Sequence, residues 1–199
     1  ITLDGCRSGR GLSDACTVGG PSAADRNVVS GNGGDGIEIL DGPCTIEGNY
    51  IGVDATGAVA MGNGGHGIYG QPLPFPATFN NTVIGGSGAG EGNVISANGG
   101  SGIHLEGRGD TGISIRGNRA GTDSAGTLDL GNANHGIVLY YDVAFNGPNG
   151  VTIGGASPGD GNVVRFNDGS GLLLARAFAV ARGNIVSDNG ASGVRVEGG

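Results

Sequence analysis

The sequence contains no lysine and no tryptophan, and all ten of its basic residues are arginines. Eighteen acidic residues give a formal net charge of -8. A nucleic-acid partner requires a basic stripe that neutralises phosphates, and no such stripe is present, so nucleic-acid binding is not expected. No run approaches the roughly eighteen apolar residues of a membrane span, and we predict none.

Proline is scarce at 7 residues, whereas glycine accounts for 47 of the 199. Glycine does not recur in strict triplets, which excludes collagen. Hydrophobic residues make up 37% of the chain and stand in a regular register, which argues against disorder. We expect one domain over residues 1–199. The chain begins within a repeat and without Met, so we interpret it as a fragment of a longer repeat protein.

The glycines belong to internal repeats. The first repeat has four copies: NVVSGNGGDGIEI from Asn27, NVISANGGSGIHL from Asn93, NVVRFNDGSGLLL from Asn162 and NIVSDNGASGVRV from Asn184. In each copy a second Asn follows five residues after the first, and a Gly nine residues after it begins an apolar segment. A second repeat, GNYIGVDATGAVAMGNGGHGI from Gly48, recurs from Gly117 as GNRAGTDSAGTLDLGNANHGI. Such repetition is typical of a solenoid.

The spacing of the repeats gives the length of a coil. The apolar residues that follow the repeated Gly are separated by 22 to 35 residues: Ile37, Ile68, Ile103, Ile137, Leu172 and Val194. The shortest step contains three short apolar runs, and the longer steps add an excursion of about ten residues. No single coil can bury its own apolar face. The pattern therefore predicts an all-β solenoid, a single-stranded parallel β-helix of about six to seven coils with three short strands per coil.

The pattern N-x-(I/V)-x-x-N-x-x-x-G-I recurs along the chain and carries a resemblance that covers nearly the whole of it. In this pattern the chain resembles the right-handed parallel β-helix repeat family, the pectate-lyase-like superfold, of the type found as repeats in large bacterial secreted and surface proteins. The resemblance implies a right-handed β-helix and an extracellular or cell-surface location in bacteria. It does not by itself determine the function.

Asparagines recur at one corner of every predicted coil. Asn tolerates the left-handed conformation that a corner requires, and its amide can bond to the same amide one coil above and below. The predicted ladder contains Asn27, Asn49, Asn93, Asn118, Asn162 and Asn184. We interpret these residues as structural.

The three cysteines lie in the first quarter of the chain. The repeat frame aligns Cys16 with Cys44 on adjacent coils, about 5 Å apart and within reach of a disulfide. A Cys6–Cys16 pair is the competing possibility, and buried free thiols fit equally well.

Asp54 and Asp123 occupy one position of a repeated Gly-containing loop, which makes them the candidate calcium ligands. Two coils separate them, about 10 Å by the spacing of strands, so they cannot share an ion. Each would need help from carbonyl groups or from a neighbour such as Asp129. An Asp that caps its own turn is the alternative explanation.

His66 and His135 also occupy equivalent positions, and the GHG at His66 is similar to a motif of the polygalacturonases. The paired Asp-Asp and the R-I-K of those enzymes are not found here. The same position in other coils holds Asp35, Ser101, Ser170 and Ser192. This variety indicates a solvated corner, and we expect no catalysis there.

Aromatic residues gather in two segments that follow the His positions, GIYGQPLPFPATF from Gly67 and GIVLYYDVAF from Gly136. Their shared register predicts one aromatic edge that binds polysaccharide by stacking. The predicted ligand-binding residues are Tyr69, Phe75, Phe79, Tyr140, Tyr141 and Phe145. A hydrophobic cluster that seals a long loop is the alternative.

Together these features favour a non-catalytic extracellular scaffold or adhesin-type segment that binds polysaccharide. The rival function is a polysaccharide lyase or glycoside hydrolase of the same fold. Neither end of the sequence shows the polar cap that stacked coils ordinarily need. The terminal coils therefore either continue into more repeats or meet another copy of the chain, and end-to-end self-assembly into a fibre is a hypothesis.

Overall fold

The chain winds into a parallel β-helix with three strands per coil. The structure is a computed structural model, which describes residues 1–3, 16–71, 78, 80–107, 110–141 and 150–198. These residues form nineteen strands and no helix, and the strands pair in parallel. The described residues include no helix long and apolar enough to cross a membrane. The predicted all-β, single-stranded parallel β-helix of six to seven coils is confirmed.

The strands form three sheets, called A, B and C below. Sheet A contains β1 (Thr2–Leu3), β4 (Ile37–Ile39), β7 (Ile68–Gly70), β10 (Ile103–Gly107), β13 (Ile137–Tyr141), β16 (Leu172–Ala175) and β19 (Val194–Glu197). Sheet B contains β2 (Cys16–Gly19), β5 (Cys44–Glu47), β8 (Val83–Gly85), β11 (Ser114–Arg116), β14 (Val151–Gly154) and β17 (Ala179–Arg182). Sheet C contains β3 (Val28–Val29), β6 (Tyr50–Ile51), β9 (Val94–Ile95), β12 (Arg119–Ala120), β15 (Val163–Arg165) and β18 (Ile185–Ser187).

The core consists of rows of similar apolar side chains stacked coil upon coil. In sheet A the register aligns the buried residues Ile37, Ile68, Ile103, Ile137 and Leu172. Sheet B contributes the buried row Ile46, Ile84, Ile115 and Ile153, and sheet C the row Ile51, Ile95, Ala120 and Val164. Each buried Ile, Leu or Val contributes about 1.5–3 kcal/mol, and the neighbouring coils supply most of the burial.

The asparagine ladder lies at the corner between sheets B and C, as predicted. Each Nδ2 donates to the Oδ1 of the next coil at 2.9–3.0 Å. A second ladder, which the sequence analysis did not identify, lies between sheets C and A with amide–amide bonds of 2.8–2.9 Å. It contains Asn32, Asn63, Asn98, Asn132, Asn167 and Asn189. Its sequence signal was the second Asn of every repeat.

Glycine is required where the chain turns into the first ladder. Gly48 has a φ of +68°, and a Cβ there would lie 2.1 Å from the carbonyl oxygen of Gly20. No other residue fits both the left-handed backbone and this contact. The corner positions therefore explain part of the high glycine content.

Excursions leave the coils at two corners in alternation, as the repeats predict. Residues 21–26, 87–92 and 156–161 connect sheet B to sheet C, and residues 54–63 and 123–132 connect sheet C to sheet A. Excursions at one corner contact each other across the intervening coil. For example, Ser124 N–H donates to the Gly57 carbonyl at 2.9 Å. Both rows of excursions border sheet C.

Cys16 and Cys44 pair in register on β2 and β5, as the repeat frame predicts. Cys44 is nevertheless a free, buried thiol, whereas Cys16 belongs to a disulfide. The predicted Cys16–Cys44 bridge is wrong, because equivalent positions on adjacent strands permit a bridge without selecting it over another pairing. Burial, with a smaller effect of the Asp41 charge, raises the pKa of the Cys44 thiol to about 11. Cys6 lies outside the described residues.

Candidate functional site

The outer face of sheet A has the highest concentration of chemically versatile side chains among the described residues. Alternation in β10 buries Ile103 and Leu105 and turns His104 and Glu106 outward. The parallel register places Glu38, Tyr69 and His104 in one outward row on three successive strands. This row is the structural basis of the site.

Three rings come together on this face, and we call them the aromatic platform: His66, Tyr69 and His104. The His66 and Tyr69 rings stack with centroids 5.3 Å apart and an interplanar angle of 21°. His104 meets His66 edge-on at 4.6 Å and Tyr69 at 5.7 Å. Stacked and edge-to-face geometries are favoured by the quadrupoles of aromatic rings, so these contacts stabilise the arrangement of the three side chains.

Glu106 is the polar centre beside the platform. Gln71 Nε2 donates to Glu106 Oε2 at 2.9 Å. His104 Nε2 lies 3.4 Å from Glu106 Oε1 without hydrogen-bond geometry. On the adjacent strand, Tyr140 stands opposite Glu106 in register and is 44% exposed. The carboxylate is thus held by Gln71 next to an accessible aromatic ring.

The platform is uncharged at neutral pH. Burial lowers the pKa of His66 and of His104, and the neighbouring imidazoles lower the pKa of His104 further. Burial and the Glu106 carboxylate together raise the pKa of Tyr69 to about 12. The site therefore combines neutral rings with a nearby carboxylate.

The residues at the position shared by His66 and His135 are connected by hydrogen bonds from each coil to the next. The N–H of His66 donates to Asp35, and His66 Nδ1 accepts from Ser101 N–H at 2.9 Å. The pattern continues from His135 N–H to Ser101 Oγ at 3.3 Å and from Ser170 N–H to His135 Nδ1 at 2.8 Å. Ser101 and Ser170 are fully buried. The predicted solvated corner is wrong at those two coils, because neither serine is exposed to solvent.

Two of the residues predicted to form the aromatic edge lie on one face, and ligand binding by them stays a prediction. Tyr69 and Tyr140 lie on the outer face of sheet A, whereas Tyr141 is 1% exposed. Alternation along β13 directs Tyr141 into the core, where its ring covers Gly107. The placement of Tyr141 on the edge is therefore wrong, and a glycan cannot reach its ring. Phe75, Phe79 and Phe145 lie outside the described residues.

Asp54 and Asp123 each cap their own loop. Asp54 accepts from Thr56 Oγ1 at 2.7 Å and from two loop N–H groups. Asp123 accepts from the N–H groups of Thr127 and Leu128 at 2.6 and 2.8 Å. Among the described residues no cluster of three or more His, Cys, Asp and Glu side chains could hold a metal ion. Calcium binding at either loop stays a prediction.

The sequence analysis missed His104, Glu106, Gln71 and Glu38. Their signal was the alternation within the strands, combined with the alignment of Ile37, Ile68 and Ile103. That alignment places the residue after each Ile on the outer face. Reading it across coils would have grouped Glu38 and His104 with Tyr69.

Comparison of the chain with protein-family models, with curated proteins and with solved structures finds no match. The parallel β-helix supports many activities, so the fold alone leaves the function open. The interpretation of the site therefore depends on its own geometry and charge.

Proposed function

We propose that the chain is a non-catalytic, extracellular or cell-surface β-helical scaffold of the adhesin type, which binds neutral polysaccharide on the outer face of sheet A. The observation that supports this proposal is the aromatic platform, three neutral rings held within 4.6–5.7 Å of one another. Sugar rings stack on aromatic faces, and a preformed surface costs little ordering entropy on binding. The repeats, which resemble those of bacterial surface proteins, agree with this function.

The charges near the platform favour neutral sugars. Asp35 and Glu38 lie on the same face as Glu106, and among the described residues no arginine makes a cation–π contact with the three rings. Carboxylates accept hydrogen bonds from sugar hydroxyls and repel uronates and sulfates. Tyr140 extends the aromatic surface by one coil beyond Glu106.

The test is a titration with neutral polysaccharides, such as β-glucan, xylan and mannan, followed by affinity electrophoresis and calorimetry. We expect Tyr69→Ala to weaken binding about tenfold, equivalent to about 1.4 kcal/mol, because it removes one ring of the platform. Tyr69→Phe keeps the ring and should retain most of the affinity. Exposed Phe178 lies between β16 and β17, two coils beyond the strand that carries His104, and Phe178→Ala is the matched control. Equal affinities for Tyr69→Ala and Phe178→Ala would contradict the proposal.

A polysaccharide hydrolase or lyase is the second candidate, and the outward carboxylates Glu38 and Glu106 support it. They belong to strands two coils apart, about 10 Å by the spacing of strands, and Glu106 lies two residues beyond the position in register with Glu38, so the two side chains must extend towards each other to act together. Inverting glycosidases separate their two carboxyl groups by about 6.5–9.5 Å. New reducing ends or unsaturated products that disappear in Glu106→Gln would establish catalysis and refute the scaffold.

A further inference from the structure

Sheet C lies at the base of a groove, because excursions rise on both of its sides. Residues 87–92 and 156–161 form one side, and Ser124 of the opposite excursion lies on the other. The groove has a volume of about 640 Å³. Its base is the outward row of sheet C, Tyr50, Val94, Arg119 and Val163.

Two arginines line this groove. The Arg26 guanidinium covers the Tyr50 ring at 4.1 Å from the centroid, and its Nε donates to the Gly48 carbonyl at 3.0 Å. Arg119 Nε is buried and has no hydrogen-bond partner among the described residues. Tyr50, which the Arg26 guanidinium covers, and Arg119 stand two strands apart, so the backbone positions of Tyr50 and Arg119 lie about 10 Å from each other along the helix axis.

Among the described residues the carboxylates of these excursions form no ion pair with Arg26 or Arg119, and Asp160 instead lies 3.8 Å from Arg116 Nη1. Asp25 accepts from Ser22 Oγ at 2.6 Å, Glu91 from Gly88 N–H at 2.7 Å and Asp160 from Ser157 N–H at 2.9 Å. None of these carboxylates lines the groove. The lining of the groove thus contains two arginines and no carboxylate, in a chain whose formal net charge is -8.

The sides of the groove are mostly glycine. Gly88, Gly90 and Gly159 expose backbone, and the base offers only Val94 and Val163 as aliphatic side chains. Such a surface has no deep apolar pocket for the side-chain anchors of a protein partner. Backbone N–H and C=O groups suit a ligand rich in hydroxyls.

We propose that the groove over sheet C binds a segment of an acidic polysaccharide, whose carboxylate or sulfate groups pair with Arg26 and Arg119. Two cations spaced along an elongated groove match a polymer with separated charges better than a single small anion. A nucleic acid carries a phosphate on every nucleotide and requires more cations than the groove supplies. This site is distinct from the aromatic platform, which favours neutral sugars.

Affinity electrophoresis tests the proposal with sodium alginate as the carboxylate probe, dextran sulfate as the sulfate probe, dextran as the neutral probe and poly(dT) as the nucleic acid. We expect Arg119→Gln and Arg26→Gln each to weaken alginate or dextran sulfate binding at least tenfold at low salt. The control is Arg182→Gln, which removes the same charge from an exposed position on sheet B. Tyr69→Ala should bind the acidic probes like the wild type, so the two sites are tested separately.

Circular dichroism and a thermal melt establish that each variant is folded, and a misfolded Arg119→Gln leaves Arg26→Gln as the test. Binding that weakens as salt increases, and only in the groove variants, supports the site. Losses as large in Arg182→Gln would overturn it, as would equal affinity for dextran. Preferential binding of poly(dT) would replace it with a nucleic-acid site.

Discussion

Asp123 shows how one side chain can be recognised from sequence and understood only in the structure. Burial alone would raise its pKa, but hydrogen bonds from the N–H groups of Leu128, Thr127 and Ala125 outweigh that effect and lower the pKa to about 2. Asp54 occupies the same loop position, and its pKa is lowered first by the Thr56 hydroxyl. Both carboxylates bind their own loops.

The lowered pKa of Asp123 in the folded protein makes the free energy of unfolding depend on pH. The folded pKa of Asp123 lies below the ordinary value of 3.8, so the unfolded chain binds more protons at low pH. The contribution of Asp123 is therefore complete above about pH 4 and is lost as the pH falls towards 2. We expect the urea midpoint of the wild type to fall more steeply between pH 5 and pH 2 than that of Asp123→Asn. Parallel curves for the two proteins would contradict the assignment.

At the scale of the element, the coil corner depends on the asparagine ladder. Asn118 is buried, and its Nδ2 donates to the Ile84 carbonyl and to Asn162 Oδ1 at 2.9 and 3.0 Å. Its Oδ1 accepts from the Nδ2 and the backbone N–H of Asn93 at 2.9 and 3.1 Å. One side chain therefore satisfies buried polar groups on both neighbouring coils.

We expect Asn118→Ala to destabilise the fold by about 3 kcal/mol, because each buried polar group left without a partner costs about 1–3 kcal/mol. The control is Asn27→Ala in the exposed first position of the same ladder, where the cost should stay below about 1 kcal/mol. Chemical denaturation of the two variants measures the difference. Equal losses would show that the ladder is not a main source of stability.

The elements themselves were largely predictable because each coil repeats the same pattern. Strand positions, the inward rows and the first ladder follow from aligning Asn27, Asn93, Asn162 and Asn184. The position of Tyr141 was not predictable from clustering of aromatics, since alternation along β13 decides which of two adjacent tyrosines faces the core. The position of a tyrosine within the strand, and not the local abundance of aromatic residues, therefore determines whether its side chain is buried.

At the scale of the molecule, the coil formed by β17, β18 and β19 exposes side chains that point inward. Val194 and Val196 are 52% and 73% exposed, although their register partners Leu172 and Leu174 are buried. The outer edges of these strands have no partner within the described residues. Such an edge can pair with another β-sheet edge.

We therefore expect the 199-residue chain to associate end to end as its concentration increases, with a mass that grows in size-exclusion chromatography with light scattering. Val196→Asp should shift the chain towards the monomer, because it places a charge on the stacking surface. Arg195→Gln changes the adjacent outward residue on the same strand and should associate like the wild type. A monomer at high concentration would rule out the fibre.

The sequence by itself determined the coil, its three strands, the stacked apolar rows and the corner that holds the first asparagine ladder, because periodic residues must occupy equivalent places in a solenoid. Only the tertiary structure decided which side chains meet between coils. The platform of His66, Tyr69 and His104 and the groove with Arg26 and Arg119 join residues far apart in sequence. Their distances depend on the stacking of coils and on the alternation of side chains, and local sequence patterns do not reveal which partners lie one coil away.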